Sequence, residues 1–228
     1  MTATALNQLA GTYTIDPSHT EIGFTARHAM VTKVRGAFTD FSGTASTGAG
    51  LSSPALDMTI NAASVSTGSA DRDGHLVSAD FFDVEQYPTI RFASSSVTAP
   101  ADDTLRVEGD LTIKDVTRPV VIDFDYDGVA TDPFGNERVG LSGSVMVNRK
   151  DFGLVWNAAL ETGGVLVSEN VNLVFEVSAI KDPEASAEAV ADETVAVEPA
   201  PAPAAPATEQ AAPAAQAGFA GWLKRLFA

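Results

Sequence analysis

The chain has 228 residues and a formal net charge of -16, with 30 acidic residues against 14 basic ones and no cysteine. Without cysteine it can form neither a disulfide framework nor a thiolate site. Its acidity repels phosphate, which argues against binding to nucleic acids and to anionic membrane surfaces.

The apolar segments are short. No run of about 18 apolar residues occurs, so we expect no membrane-spanning helix. Residues 1–10, MTATALNQLA, lack the basic start and the apolar core of a signal peptide. Together these features predict a cytoplasmic protein.

Residues 11–181 predict one mainly β domain, large enough to bury a core without disulfides or a structural metal. Apolar and polar residues alternate there with a period near two, as in half-buried strands. About eight antiparallel strands at hairpin spacing favour an eight-stranded up-and-down barrel over a sandwich. The predicted strands are residues 11–16, 19–28, 35–47, 55–62, 89–97, 104–113, 117–129, 138–148 and 170–181, with a brief helical turn at 30–33.

The alternation stops between Asp71 and Phe92, where apolar residues recur at helical spacing. This spacing predicts a short helix over residues 70–81. Ser69 or Asp71 is suited to cap its first turn, and Asp73 lies at the favourable end of the helix dipole. One helix inserted into a series of strands usually covers the end of a sheet or barrel.

Small residues recur along the predicted strands. Glycine in a strand marks a bend, a close approach of two backbones or a weak strand. The sequence leaves barrel bends and space for a ligand as equal alternatives. These small residues are Gly23, Ala26, Gly36, Gly43, Ala62, Gly109 and Gly143.

The end of the chain differs from the predicted barrel. Residues 182–218 predict a disordered acidic linker rich in Ala and Pro, because from residue 183 onward they contain no aromatic residue, 15 Ala and 6 Pro. Residues 219–228 predict a short amphipathic helix, which needs a surface on which to fold. Its apolar face would dock on its own barrel, on a protein partner or, weakly, on a membrane; the competing interpretation is an incidental apolar terminus. The residues of that face are Phe219, Trp222, Leu223, Leu226 and Phe227.

Few residues are candidates for chemistry. No metal-ligand spacing such as HxH or HExxH occurs, and no nucleophile motif of the G-x-S-x-G type is present. If the helix covers a cavity, Arg72, Asp73 and His75 would present polar groups to a ligand, and His28 would lie at the rim. The competing interpretation is that Arg72 and Asp73 only cap the helix and form surface ion pairs, and that His28 is an ordinary rim residue.

Several sequence blocks, in order over residues 11–181, resemble the YceI-like family of lipid- and polyisoprenoid-binding proteins. The resemblance implies a lipocalin-like barrel whose elongated cavity holds an isoprenoid-type chain, and it implies no established reaction. The blocks are Tyr13–Phe24, Arg27-His28, Gly36–Phe38, Thr67-Gly68, Arg72–Leu76, Asp80–Asp83, Tyr87-Pro88, Arg91-Phe92, Gly109–Ile113, Thr117–Val120 and Arg149–Leu154.

The expected function is therefore non-enzymatic binding, carriage or storage of an isoprenoid or other long-chain amphipathic lipid. No cofactor is expected apart from a bound isoprenoid- or quinone-type lipid. The sequence is compatible with a homodimer. An acidic domain favours a neutral head group over a pyrophosphate, unless Arg27, Lys33, Arg35 and Arg72 gather in one place. The predicted ligand-binding residues are His28, Arg72, Asp73, His75, Phe24, Phe38, Leu76 and Phe82.

Two alternatives belong to other functional classes. One is a lipid-modifying enzyme in which His75 and Asp73 act as acid and base. The other is an interaction module, in which the terminal helix recruits a partner and the barrel is a scaffold.

Overall fold

A computed structural model describes residues 6–161 and 163–183. Within these ranges there is one α-helix, α1 (Ala70–Val77). The strands are β1 (Gly11–Ile15), β2 (Glu21–His28), β3 (Thr32–Phe38), β4 (Phe41–Gly48), β5 (Ser52–Asn61), β6 (Val65–Ser66), β7 (Thr89–Ala101), β8 (Thr104–Ile113), β9 (Val116–Thr131), β10 (Glu137–Asn148) and β11 (Asn170–Lys181). Short 3₁₀ turns lie at Leu6–Gln8, Ala49–Leu51, Ala62–Ser64 and Arg149–Phe152.

The strands close into a barrel. Its eight-membered ring runs β1, β4, β5, β7, β8, β9, β10 and β11, and β1 pairs with β11 to complete it. All pairings in the ring are antiparallel. The predicted mainly β, eight-stranded barrel with one helix is thus confirmed.

Two pairs of short strands share positions around the barrel. The C-terminal part of β11 pairs with β1, and the N-terminal part of β11 pairs with β2. Strands β1 and β2 therefore lie end to end along the same edge of β11. In the same way β3 pairs with β2, while β4 pairs with β1. The hairpin β2–β3 therefore extends one side of the barrel.

The prediction of one strand over residues 35–47 is wrong, because β3 ends at Phe38 and β4 begins at Phe41. The Ser64 hydroxyl accepts hydrogen bonds from the backbone N–H groups of Thr39 and Asp40, which leave the strand ladder there. The break changes the alternation. Phe38 and Phe41, which one continuous strand would place on opposite faces, are both buried.

Two other predicted bounds also change. Helix α1 ends at Val77 instead of residue 81, because Ser78 is extended and its backbone N–H and hydroxyl both donate to the carbonyl of His75. The predicted helical turn at 30–33 is wrong as well. Ala29 and Met30 adopt left-handed conformations that form the β2–β3 turn, and β3 begins at Thr32.

The predicted linker from residue 184 onward and the predicted helix 219–228 lie outside the described residues, so both stay predictions. Among the helices of the described part, none combines the length and apolarity that crossing a bilayer requires.

Candidate functional site

The barrel encloses an apolar cavity of about 180 Å³. Its lining runs the length of the barrel, from Leu105 and Leu141 towards one end to Val147 and Phe152 at the other. An apolar cavity of about 150 Å³ holds one benzene ring. The cavity as it stands therefore has room for roughly one ring or one to two isoprene units, and a longer chain requires the lining side chains to move.

Four of the predicted ligand-binding residues, Phe24, Phe38, Leu76 and Phe82, line this cavity together. The ring centroids of Phe24 and Phe38 are 6.0 Å apart, and those of Phe38 and Phe82 are 5.8 Å apart. These are ordinary distances for tilted and edge-on aromatic pairs. The structure thus connects β2, β3 and the segment after α1 in one aromatic wall.

His75 stands outside that wall. Its Nε2 lies 2.9 Å from Asp80 Oδ2, and its ring meets the rings of Phe81 and Trp156 edge-on at 5.0 and 4.6 Å. Phe81 lines the cavity, so His75 lies behind it and packs α1 against the loop that carries Trp156. Trp156, which the sequence reasoning missed, gives no sequence signal of its own because it lies in an irregular loop.

Arg72 and Asp73 both bond to Thr67. The Asp73 carboxylate accepts hydrogen bonds from the Thr67 amide and hydroxyl, and Arg72 donates to the Thr67 hydroxyl and carbonyl at 2.7 and 2.8 Å. His75 and Asp73 therefore bond to different partners and not to each other. His28 is exposed at the end of β2, where it bridges to Val167. No binding measurement tests these four residues, so their role stays a prediction.

Phenylalanine rings cover three of the small residues in the strands. A Cβ added at Gly36, Gly109 or Gly143 would collide with the ring of Phe24, Phe92 or Phe124, respectively. Phe24 and Phe124 lie directly across the sheet from the glycines that they cover. The sequence left barrel bends and space for a ligand as alternatives. At these three glycines the space is not free for a ligand, because phenylalanine rings from the neighbouring strand occupy it.

Arg149 is a buried cation in the cavity wall, with 5% of its surface exposed. Its Nε donates to the Ser168 carbonyl at 2.9 Å, and its Nη1 donates to the Leu154 carbonyl. Its Nη2 is buried without a hydrogen-bond partner. Burial lowers the pKa of this guanidinium, which nevertheless stays charged, and it forms no ion pair with a described residue.

The sequence reasoning missed this role of Arg149. Two signals for it were available. Val145 and Val147 line the cavity, so the alternation of β10, carried one step past its end at Asn148, already places Arg149 on the inward side. The other signal was the block Arg149–Leu154 within the family resemblance.

An ion-pair network lies where β10 begins. Arg138 donates to Asp16 at 2.5 Å and to Asp132 at 2.8 Å, and both carboxylates are only 11% exposed. The hydrogen bond from Arg138 is the main reason why the pKa of Asp16 falls from 3.8 to about 2. The hydrogen bond from the Asn136 side chain, followed by that from Arg138, holds the pKa of Asp132 far below its usual value.

Within the described ranges, no three His, Asp or Glu side chains converge as a metal site would require. The arrangement is thus an antiparallel β-barrel that encloses an apolar cavity, with one buried guanidinium in its wall. Residues 13–179 match the family model described as a YceI-like domain. The chain belongs to the YceI-like family.

Relatives and solved structures agree with this assignment. The chain is 36% identical over 169 residues to the UPF0312 protein SA2479 of Staphylococcus aureus, covering 73% of this chain and 95% of that protein. The YCEI protein of Campylobacter jejuni is 30% identical, with a TM-score of 0.59 over 68% of this chain and 90% of that one. The structure of a polyisoprenoid binding domain from Saccharophagus degradans is 16% identical, with a TM-score of 0.58 over 75% of this chain and 98% of that one, and it shows the fold alone.

Proposed function

We propose that this protein binds an amphipathic lipid of isoprenoid type in its barrel and carries or stores it without changing it chemically. The observation that carries the proposal is the apolar cavity of about 180 Å³ inside the closed barrel. The name of the polyisoprenoid binding domain with the same fold supports the choice of ligand class.

The apolar chain supplies most of the binding free energy. Burial contributes about 0.8 kcal/mol per CH₂, so a chain of about 15 carbons offers on the order of 12 kcal/mol before association and ordering costs. The present cavity has room for only part of such a chain. Affinity is therefore expected to rise with chain length only as far as the lining side chains can separate.

The charges around the cavity support a neutral head group. Arg149 is the buried cation in the wall. Arg27, Lys33 and Arg35 do gather, but in a depression on the outer face of the barrel, and Arg72 bonds to Thr67 instead of joining them. A diphosphate would bring more negative charge than one guanidinium balances in an apolar surrounding. A quinone or a phenol head carries no charge, so it needs no counter-ion in that surrounding.

Binding can be tested with two adjacent valines on β9. Val120 lines the cavity, whereas Val121 is 49% exposed on the outer face. We expect Val120→Trp to fill the cavity and weaken farnesol binding at least tenfold by calorimetry, while Val121→Trp binds as the wild type does. Equal binding by both variants would refute a ligand inside the barrel.

The head group can be tested with a matched pair of probes that share one chain, farnesol and farnesyl diphosphate. We expect the alcohol to bind more tightly than the diphosphate. Native mass spectrometry of the protein purified from its own host would identify the natural ligand. Recovery of a diphosphate lipid would contradict the neutral head group and leave the barrel site intact.

A further inference from the structure

The β2–β3 hairpin differs in charge from the rest of the chain. Residues 22–39, IGFTARHAMVTKVRGAFT, contain Arg27, Lys33 and Arg35 and no acidic residue, in a protein with a net charge of -16. At physiological salt, charges are screened beyond about 8 Å. A surface that approaches this hairpin therefore meets a local positive charge.

The three cations stand together. Glu169 lines the same depression, but its carboxylate is paired with Lys150. Arg27 lies directly across the hairpin from Lys33, and Arg35 lies two pairs further along, opposite Thr25 and on the same face as Lys33. All three are exposed, and none forms an ion pair with a described residue. Like charges that face each other across two strands are unfavourable, and a bound anionic group would relieve that repulsion.

Exposed apolar side chains accompany these cations. Met30 and Val31 at the hairpin tip are 53% and 75% exposed, and Met146 on β10 is 60% exposed. Met30 and Met146 line the same outer depression as the three cations. Large apolar groups at a tip, flanked by cations, are the combination that proteins use at membrane surfaces.

We propose that this hairpin face, formed by Arg27, Met30, Val31, Lys33, Arg35 and Met146, docks the protein on a membrane surface that contains anionic phospholipid. The apolar tip enters the head-group region, and the cations contact the lipid phosphates. A soluble anion would use the cations but would leave the exposed methionines and valine without a role. The inference does not depend on which ligand the barrel holds.

The position of the face agrees with lipid exchange. On β2, Phe24 and Ala26 line the cavity. Thr25 lies between them in the sequence and, like Arg27, lines the outer depression. Docking through this face would therefore place one wall of the cavity against the membrane. Lipid would have a short path between the two.

The test is sedimentation of the full-length protein with vesicles of phosphatidylcholine, with and without phosphatidylglycerol, at physiological salt. We expect binding only with phosphatidylglycerol and weakening as salt rises. Each of Lys33→Glu and Arg35→Glu should weaken binding roughly fivefold or more. The matched control is Arg118→Glu, an exposed arginine on β9 that makes no ion pair with a described residue and whose reversal should leave binding unchanged.

The apolar half of the face has its own control. Met30→Ser with Val31→Ser should reduce binding, whereas Val121→Ser, exposed on another strand, should not. Trp222→Ser with Leu223→Ser in the predicted terminal helix should also leave binding unchanged.

Circular dichroism and thermal melting would confirm that each variant is folded. If a variant does not fold, the dependence of wild-type binding on salt and on phosphatidylglycerol still tests the proposal. Three results would overturn the proposal: no binding by the wild type, equal binding to both kinds of vesicle, or loss of binding only in the terminal-helix variant. An acidic protein partner in place of a membrane would give the first of these.

Discussion

The two ends of the barrel are held in different ways. At one end, which we call the tight end, β9 and β10 join in a short turn around Asp132, and Arg138 connects Asp132 to Asp16. At the other, the loop end, lie α1 and the described residues between β10 and β11, 149–161 and 163–169. The loop end is held by the aromatic contacts of His75, Phe81 and Trp156 and by the carbonyls that Arg149 binds.

This difference indicates where a ligand enters. At the tight end two mostly buried carboxylates share one arginine, and such charge-assisted hydrogen bonds resist separation. At the loop end the bonds of Arg149 stay within its own loop, and that loop meets His75 and Phe81 through aromatic packing, which can shift as a unit. The loop end also carries the β2–β3 hairpin, because β2 ends and β3 begins there beside Val167. We therefore expect the lipid to enter and leave at the loop end.

The largest effect is expected from breaking the tight end. Arg138→Met would leave the two mostly buried carboxylates of Asp16 and Asp132 facing each other without their cation. We expect the melting temperature to fall on the order of 5 to 10 °C at pH 7. Arg106→Met is the control, because its pair with Asp123 is about half exposed and should contribute little.

The same network predicts a pH dependence of stability. The pKa of Asp16 is about 2 in the folded protein and 3.8 as the ordinary value. The folded state thus favours the ionised form, so its contribution to stability is complete above pH 4 and is lost as the pH falls towards 2. Urea midpoints at pH 5.5, 4 and 3 should converge between wild type and Arg138→Met. A constant difference across this range would refute the role of Asp16.

A smaller effect is expected from breaking the loop end. Arg149→Met leaves the carbonyls of Ser168 and Leu154 without their donor and should cost about 2 kcal/mol in the free energy of unfolding. Amide exchange should accelerate in residues 153–169 more than near Asp132. Lys150→Met, which removes only an exposed pair with Glu169, should change neither.

The smallest effect concerns α1 itself. A Cβ added at Gly74 meets nothing within 4 Å, so Gly74→Ala should stabilise the helix by about 0.5 to 1 kcal/mol. Gly68→Ala just before the helix should destabilise instead, because Gly68 has a φ of +76°. A denaturant series with both variants measures the contrast. A destabilising Gly74→Ala would show that the loop end requires a pliable helix.

Sequence reasoning succeeded where neighbouring residues decide the outcome. Strands β8 and β11 have the predicted bounds, because apolar or small residues occupy every second position from end to end and their turns contain turn-forming residues. It failed at Phe38 and Phe41, where the Ser64 hydroxyl, more than twenty residues along the chain, takes two backbone donors. The alternation of apolar and polar residues carries no information about a hydrogen bond to so distant a residue.

By itself, the sequence determined a mainly β barrel with a covering helix, and it identified four aromatic and aliphatic residues, Phe24, Phe38, Leu76 and Phe82, that line its interior. Local periodicity sets these features because burial of one face is a property of each strand or helix alone. Only the tertiary structure decided that Phe rings fill the space beside the glycines, that Arg149 is buried with one nitrogen left without a hydrogen-bond partner, and that three cations gather outside. Those outcomes depend on which strands become neighbours, and pairing across the barrel is settled only when the whole sheet closes.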